Sequence, residues 1–115
     1  MSYDLVMWRA QPGLSLGPPQ IYEQTCEGQH VDGLEDLPLD RVTASVKERF
    51  LGIEQDIYEL NWAGDGETLQ VTWSPQHVHF ECHGPSEDTL AHLVQIAAEF
   101  QCVLYDPQAG ELVNM

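Results

Sequence analysis

The spacing of apolar residues at the start of the chain predicts a strand in the interior of a sheet. In SYDLVMWR, residues 2–9, the side chains of Tyr3, Leu5 and Met7 would lie on one face and that of Trp8 on the other. Because side chains alternate between the two faces of a strand, this segment carries apolar groups on both. That pattern is typical of a strand with neighbours on each side and covered faces.

In three later stretches, residues 56–62, 68–73 and 77–83, apolar residues alternate with polar ones. The run AGDGE between the first two is a strong hairpin signal, and SPQ predicts a turn between the last two. In the first stretch, Tyr58 is expected to point inward together with Leu60. We therefore expect an antiparallel meander with one buried and one solvated face.

Three segments show helical signals. Pro18-Pro19 can open a helix that ends at Gly28, the second helix is expected over residues 39–51, and the third begins after the N-cap Ser86. In the last two helices the apolar positions recur at steps of three and four, which gives each of them one apolar face. These positions are Leu39, Val42, Val46 and Phe50, and then Leu90, Leu93, Val94, Ala97 and Phe100.

The remaining segments complete a prediction of the fold. Residues 29–37 are interpreted as an acidic loop, residues 102–105 as a strand buried on both faces, and residues 111–113 as a last short strand. The order β-α-α-β-β-β-α-β predicts an α+β fold, with a mainly antiparallel sheet and the helices packed on one of its faces. At 115 residues, the chain is expected to form a single domain, 1–115.

Charge narrows the expected partners. There are 19 acidic and 4 basic residues, a formal net charge of -15. A field of that sign repels phosphate, so we expect no direct binding of nucleic acid and favour a basic protein partner. No apolar run reaches the ~20 residues of a membrane helix, and no secretory signal is evident, so a cytoplasmic protein with no membrane partner is expected. Three widely spaced cysteines predict free thiols in a reducing compartment.

The acidic residues concentrate in two groups, either of which is a candidate surface for a basic partner. The first group is Asp32, Glu35, Asp36 and Asp40, and the second is Glu54, Asp56, Glu59, Asp65 and Glu67. The second is favoured because a hairpin would hold it more rigidly than a loop. Aromatic residues supply many binding hot spots, and Trp8 is the candidate anchor because it points away from Tyr3, Leu5 and Met7.

A histidine-rich strand offers an alternative chemistry. His77, His79, Glu81 and His83 would share one strand face, and imidazole and carboxylate are ligands for transition metals. Positions two apart on a strand are separated by ~7 Å, so one ion would also need a ligand from a neighbouring strand. The same pattern is typical of the solvated face of a half-buried strand. No nucleophile motif accompanies it, so we expect neither an enzyme nor a cofactor.

The two ends of the chain carry a further pattern. The opening MSYDLVMW and the closing CVLYDPQAGE resemble those of a group of small bacterial proteins, most of them uncharacterised, that often look like immunity proteins of polymorphic toxin systems. The resemblance implies a partner toxin, with specificity for it varying through residues 29–67. It assigns no binding residues. The closing turn has a folding explanation of its own, because Asp, Pro and Gly are turn formers.

The leading hypothesis is therefore an immunity protein that binds a basic cognate toxin domain through its acidic surface and neutralises it. Two alternatives remain. One is a small metal-binding module or metal-dependent enzyme that uses the histidine-rich strand, and the other is a general acidic adaptor for a basic protein. The sequence leaves the oligomeric state open.

Overall fold

A computed structural model describes residues 2–113. Met1, the first residue of the opening motif, lies outside them. The described part of the chain contains three helices and seven strands, in the order β1 (Ser2–Trp8), α1 (Pro18–Cys26), α2 (Leu39–Arg49), β2 (Glu54–Gln55), β3 (Glu59–Ala63), β4 (Thr68–Ser74), β5 (His77–His83), α3 (Glu87–Glu99), β6 (Val103–Asp106) and β7 (Glu111–Leu112). This confirms the α+β class and roughly the predicted order β-α-α-β-β-β-α-β, to which the structure adds two short strands, β2 and the β7 that residues 111–113 predicted.

The strands form one sheet in the order β2-β3-β4-β5-β1-β6-β7. Each neighbouring pair is antiparallel. β1 is first in sequence but lies inside the sheet, between β5 and β6, as its two apolar faces predict. β2 pairs with the start of β3 through a tight turn in which the N–H of Asp56 donates to the carbonyl oxygen of Glu59 at 2.8 Å.

One face of the sheet packs against α2 and α3. Leu5 of β1 and Phe80 of β5 are directly opposite each other and lie in this core, with Val46 of α2 and Ile96 of α3. α3 begins as its sequence predicts, because the hydroxyl oxygen of Ser86 accepts the N–H of Thr89 at 3.2 Å. We call this side the helix face.

The expectation that all helices pack on one face holds for α2 and α3 but is wrong for α1. On the opposite face, Val6 and Trp8 of β1 pack with Ile21 of α1 and with Val31 and Leu34. The physical reason lies in β1 itself, because a strand that is apolar on both faces needs a cover on both. α1 and residues 29–37 provide the second cover.

Residues 29–37 lie outside the helices and strands, as expected of an acidic loop, but three of them, Val31, Leu34 and Leu37, are buried. The segment is fixed by the side-chain amide of Gln76, which accepts from the N–H of Val31 at 2.9 Å and donates to the carbonyl oxygens of Val31 at 2.9 Å and Leu34 at 3.2 Å. The N–H of Glu35 also donates to the carbonyl oxygen of Arg9 at 2.8 Å. This segment is therefore part of the packed structure.

The residues of the opening and closing motifs contact one another. The hydroxyl of Tyr3 donates to Asp106 at 2.8 Å, which together with burial raises the pKa of Tyr3 to about 12. The side-chain amide of Gln108 accepts the N–H of Asp4 at 2.7 Å and donates to its carbonyl oxygen at 2.8 Å, as a neighbouring strand would. These contacts give the terminal motifs a role in holding the sheet together.

Candidate functional site

Within residues 2–113, the side of the sheet opposite the helix face is left open beyond the area that α1 and residues 29–37 cover. Residues directly opposite one another on paired strands share a face, so the strand register defines rows of side chains across it. The first row is Glu54, Asn61, Gln70, Glu81 and Asp4, and the second is Glu59, Thr72 and His79. A third row contains Thr68 and His83. We call these ten side chains the acidic sheet face.

Polar contacts hold several of these side chains in place. His79 lies 3.0 Å from Asp4, measured from Nε2 to Oδ1, and both side chains are about three-quarters buried. The side-chain amide of Gln70 donates to the carboxylate of Glu59. His83 lies further from Glu81, with 3.9 Å between Nε2 and Oε2. The carboxylates at the β2 edge are less constrained, because Glu54 is exposed.

A depression of about 510 Å³ lies on this face near the β2 edge of the sheet. Its polar lining comes from Glu54, Asn61, Gln70, Glu81 and His83, among other residues. A second depression, of about 400 Å³, adjoins it at the β3–β4 turn and shares three of its lining residues. The face is therefore concave in part as well as acidic, and both properties suit the surface of a partner.

Positive charge is kept away from this face. Within the described residues, no Lys or Arg belongs to the acidic sheet face. Arg9 donates to the carbonyl oxygen of Phe100 at 3.0 Å and lies 3.4 Å from Glu35. The other three basic residues are on α2, on the far side of the sheet, where Arg49 contacts Gln95 and Lys47 contacts Gln55. The carboxylates of the open face consequently lack cationic partners other than histidine.

The histidine-rich strand does not form one cluster. His77 is buried and pairs through Nδ1 with the hydroxyl of Ser74, so it does not share the solvated surface as expected. His79 turns to Asp4, and only Glu81 and His83 remain near each other. Among residues 2–113, no three His, Cys, Asp or Glu side chains are arranged to hold one metal ion. The metal-binding alternative therefore has no ready-made site in this part of the chain.

Burial also changes the pH at which His77 takes up a proton. It lowers the pKa of His77 from 6.5 to about 4, and the neighbouring His79 adds to the effect. The unfolded chain takes up a proton near pH 6.5, whereas the folded chain does so only near pH 4. The stabilisation from the neutral ring is complete above pH 6.5 and is lost as the pH falls towards 4.

We expect acidification from pH 7 to pH 5 to cost about 2 kcal/mol of unfolding free energy through His77 alone. Urea unfolding at both pH values measures this loss, which the His77→Gln variant is expected to lack. His30 is exposed, so His30→Gln is a matched control that keeps the wild-type dependence on pH. Equal slopes for wild type and His77→Gln would contradict the buried neutral ring.

Most carboxylates of the second acidic group are exposed or half-buried, and one is hydrogen-bonded within the fold. Glu54, Asp56 and Asp65 are exposed, and Glu59 is half-buried beside Gln70. Glu67 is engaged within the fold, because its carboxylate accepts the hydroxyl of Thr89 and the N–H of Ser86. The hydrogen bond from the Thr89 hydroxyl holds the pKa of Glu67 below its usual range, and hydrogen bonds from Ser86 contribute less to the same effect. Glu67 therefore connects the β3–β4 turn to the start of α3.

The first acidic group lies on the segment that covers Trp8, apart from Asp40 in the first turn of α2. Asp32 is fully exposed, with His30 at 3.4 Å, and Asp36 is exposed as well. Glu35 is paired with Arg9, so part of its charge is already balanced. This group is thus separate from the acidic sheet face and is less free to bind a partner.

The prediction that Trp8 is an exposed aromatic anchor is wrong. Trp8 is only 2% exposed, and its ring packs against that of Tyr105 with 5.6 Å between the centroids. Tyr58, which the alternating pattern placed in the core, is 80% exposed instead. The signal that could have found it is Asp56, a turn former whose Oδ1 accepts the N–H of Ile57 at 2.7 Å.

The cysteines offer no reactive group on this face. All three are free thiols, as expected, and Cys26 is exposed, whereas Cys82 and Cys102 are buried. Burial raises the pKa of Cys82 to about 12 and that of Cys102 to about 11. Both buried thiols are therefore protonated and inert at neutral pH.

None of the helices in residues 2–113 has the length and apolar character needed to cross a membrane. The chain matches no protein-family model, and comparison with curated proteins gave no match either.

Proposed function

We propose that this protein is an immunity protein that binds a basic cognate toxin domain through the acidic sheet face and thereby neutralises it. The observation that supports the proposal is the separation of charge. Carboxylates of four strands, Asp4, Glu54, Glu59 and Glu81, share the open face, while three of the four basic residues lie on α2 across the sheet. The resemblance of the two terminal motifs to immunity proteins points the same way.

Electrostatics explains how such a face would act. A cluster of like charge with a net charge of -15 behind it attracts a basic protein over several ångströms and orients it before contact. A toxin that acts on nucleic acid or nucleotides needs a basic cleft for its substrate. Occupation of that cleft by the acidic sheet face would block the substrate directly.

A general acidic adaptor would use the same face, so binding alone does not separate the two functions. Neutralisation of the toxin's activity separates them. An immunity protein is expected to be encoded beside its toxin, so the appropriate probe is the domain encoded by the adjacent reading frame. An immunity protein suppresses the toxic activity of that domain in cells, and an adaptor leaves that activity intact.

The test of the surface is a charge reversal with a control of equal net charge. Glu54→Lys/Asp65→Lys changes one exposed residue of the acidic sheet face and one exposed residue of the adjoining β3–β4 turn, and Glu48→Lys/Glu111→Lys changes two exposed residues elsewhere. At low ionic strength we expect the first pair to lower the association rate with the adjacent toxin domain about tenfold and the control about twofold or less. Both variants are expected to keep wild-type stability, because exposed substitutions cost little.

Salt provides the second readout. Raising the ionic strength to 0.15 M shortens the screening length to ~8 Å, so the wild-type association rate is expected to fall while the reversed variant changes less. A complex whose association rate ignores both salt and charge reversal would overturn the acidic surface as the binding site. Absence of any complex, together with undiminished toxicity, would overturn the immunity function.

A further inference from the structure

The β2–β3 hairpin exposes two large apolar side chains at its tip. Ile57 is 77% exposed and Tyr58 is 80% exposed, and they follow one another directly in the turn. Most other large apolar side chains in residues 2–113 are buried or partly buried. Adjacent exposed apolar residues on a small protein commonly mark an interaction site, and tyrosine is among the residues that supply most binding energy at interfaces.

The stem beneath this tip is held firmly. Leu60 is fully buried in the core on the helix face, directly opposite Gln55. Gln55 is contacted by Lys47 of α2, and Glu59 is contacted by Gln70 of β4. A tip on a stem with contacts on both faces of the sheet is ordered before binding, so it loses less entropy when it binds.

The charges around the tip identify the kind of partner. Asp56 lies in the same turn, and Glu54 and Glu59 lie on the stem, on the open face. Lys47 reaches the stem from the opposite side, on the helix face. The tip therefore presents an apolar pair with carboxylates on one side, which is complementary to an apolar pocket with a basic rim. A second copy of this chain fits poorly, because each copy has a net charge of -15.

We infer that the β2–β3 hairpin inserts into the toxin's cleft, with Tyr58 and Ile57 in an apolar pocket and the carboxylates of Glu54, Asp56 and Glu59 facing its basic rim. This inference rests on the proposed function and adds the anchor to it. The acidic sheet face orients the partner during approach, and the hairpin tip sets how slowly the complex dissociates.

The test compares Tyr58→Ala with Leu51→Ala, a control at a side chain that is 83% exposed and lies outside the hairpin. Against the adjacent toxin domain, Tyr58→Ala is expected to raise the dissociation rate about 30-fold or more, as a hot-spot residue does, whereas Leu51→Ala changes it about twofold or less. Tyr58→Phe keeps the ring and is expected to stay close to wild type. Since the side chain is exposed, all three variants should unfold at the wild-type urea concentration.

The outcomes distinguish failure of the hairpin anchor from failure of the immunity function. Tight, neutralising binding by Tyr58→Ala would overturn the hairpin anchor and leave the immunity function standing. Loss of affinity in Leu51→Ala to the same extent would also overturn it, since the effect would then not belong to the hairpin. A wild-type dimer in sedimentation that Tyr58→Ala abolishes would assign the tip to self-association instead. If wild type neither binds nor neutralises the toxin, both proposals fail.

Discussion

Replacing Trp8 with alanine is expected to lower the free energy of unfolding by about 3–5 kcal/mol, the usual cost of removing a buried aromatic side chain. Trp8 is 2% exposed and packs with Tyr105, Ile21 and Val31. Its removal would leave a cavity between β1, α1 and residues 29–37, which relaxes only partly. Total stabilities of small domains are about 5–15 kcal/mol, so the variant would be near the limit of folding.

Urea unfolding measures this effect, and Trp73→Ala is the matched control. Trp73 is only partly buried at the edge of the other core, so the same substitution is expected to cost less there. Trp8→Phe retains most of the packing and is expected to fold with a smaller loss. An unfolding free energy of Trp8→Ala within about 0.5 kcal/mol of wild type would contradict the buried position and return Trp8 to the set of candidate surface residues.

The parts of the fold that could be predicted are those whose signal is local. The alternation in β4 and β5, the turn between β3 and β4, and the Ser86 cap of α3 each depend on a few consecutive residues. The interior position of β1 followed from its two apolar faces. Its antiparallel neighbours, β5 and β6, come from distant parts of the sequence, and no local pattern indicated β5.

The errors had both local and distant causes. His77 continues the alternation of His79 and Glu81, but it is the first residue of β5, lies beside Ser74 and is buried. Trp8 shares a face with Asp4, and which of the two is covered depends on where α1 packs. For Tyr58, a shift of the strand start from residue 56 to Glu59 moved the side chain from the core to a turn.

The sequence therefore predicted that the candidate site is acidic, but not which side chains lie together in it. Glu54 and Glu59 were predicted as part of a binding group, and they do lie on one face. Asp4 and Gln70 were not anticipated, because only the register between strands brings them into rows with those carboxylates. Glu67, in contrast, was counted as a surface charge but is bonded to Thr89.

Residues 29–37 also depend on one polar side chain, which makes Gln76→Ala a second variant of large expected effect. Gln76 is buried and makes three hydrogen bonds to the backbone of Val31 and Leu34. Each such bond contributes about 1 kcal/mol, and the freed N–H of Val31 would be left buried without a partner. We expect a loss of about 3 kcal/mol or more in the free energy of unfolding.

The effect should begin at this segment before it reaches the whole chain. Amide hydrogens of residues 31–37 are expected to exchange faster in Gln76→Ala, because the segment can detach from Trp8 while the helix-face core stays folded. Gln29→Ala, an exposed change at the start of the same segment, is the control and is expected to alter stability by about 0.5 kcal/mol or less. If Gln76→Ala matched that control in stability and in exchange, the side-chain amide would not be what fixes residues 29–37, and their cover over Trp8 would have to depend on apolar packing by Val31 and Leu34 and on backbone hydrogen bonds such as that from Glu35 to Arg9.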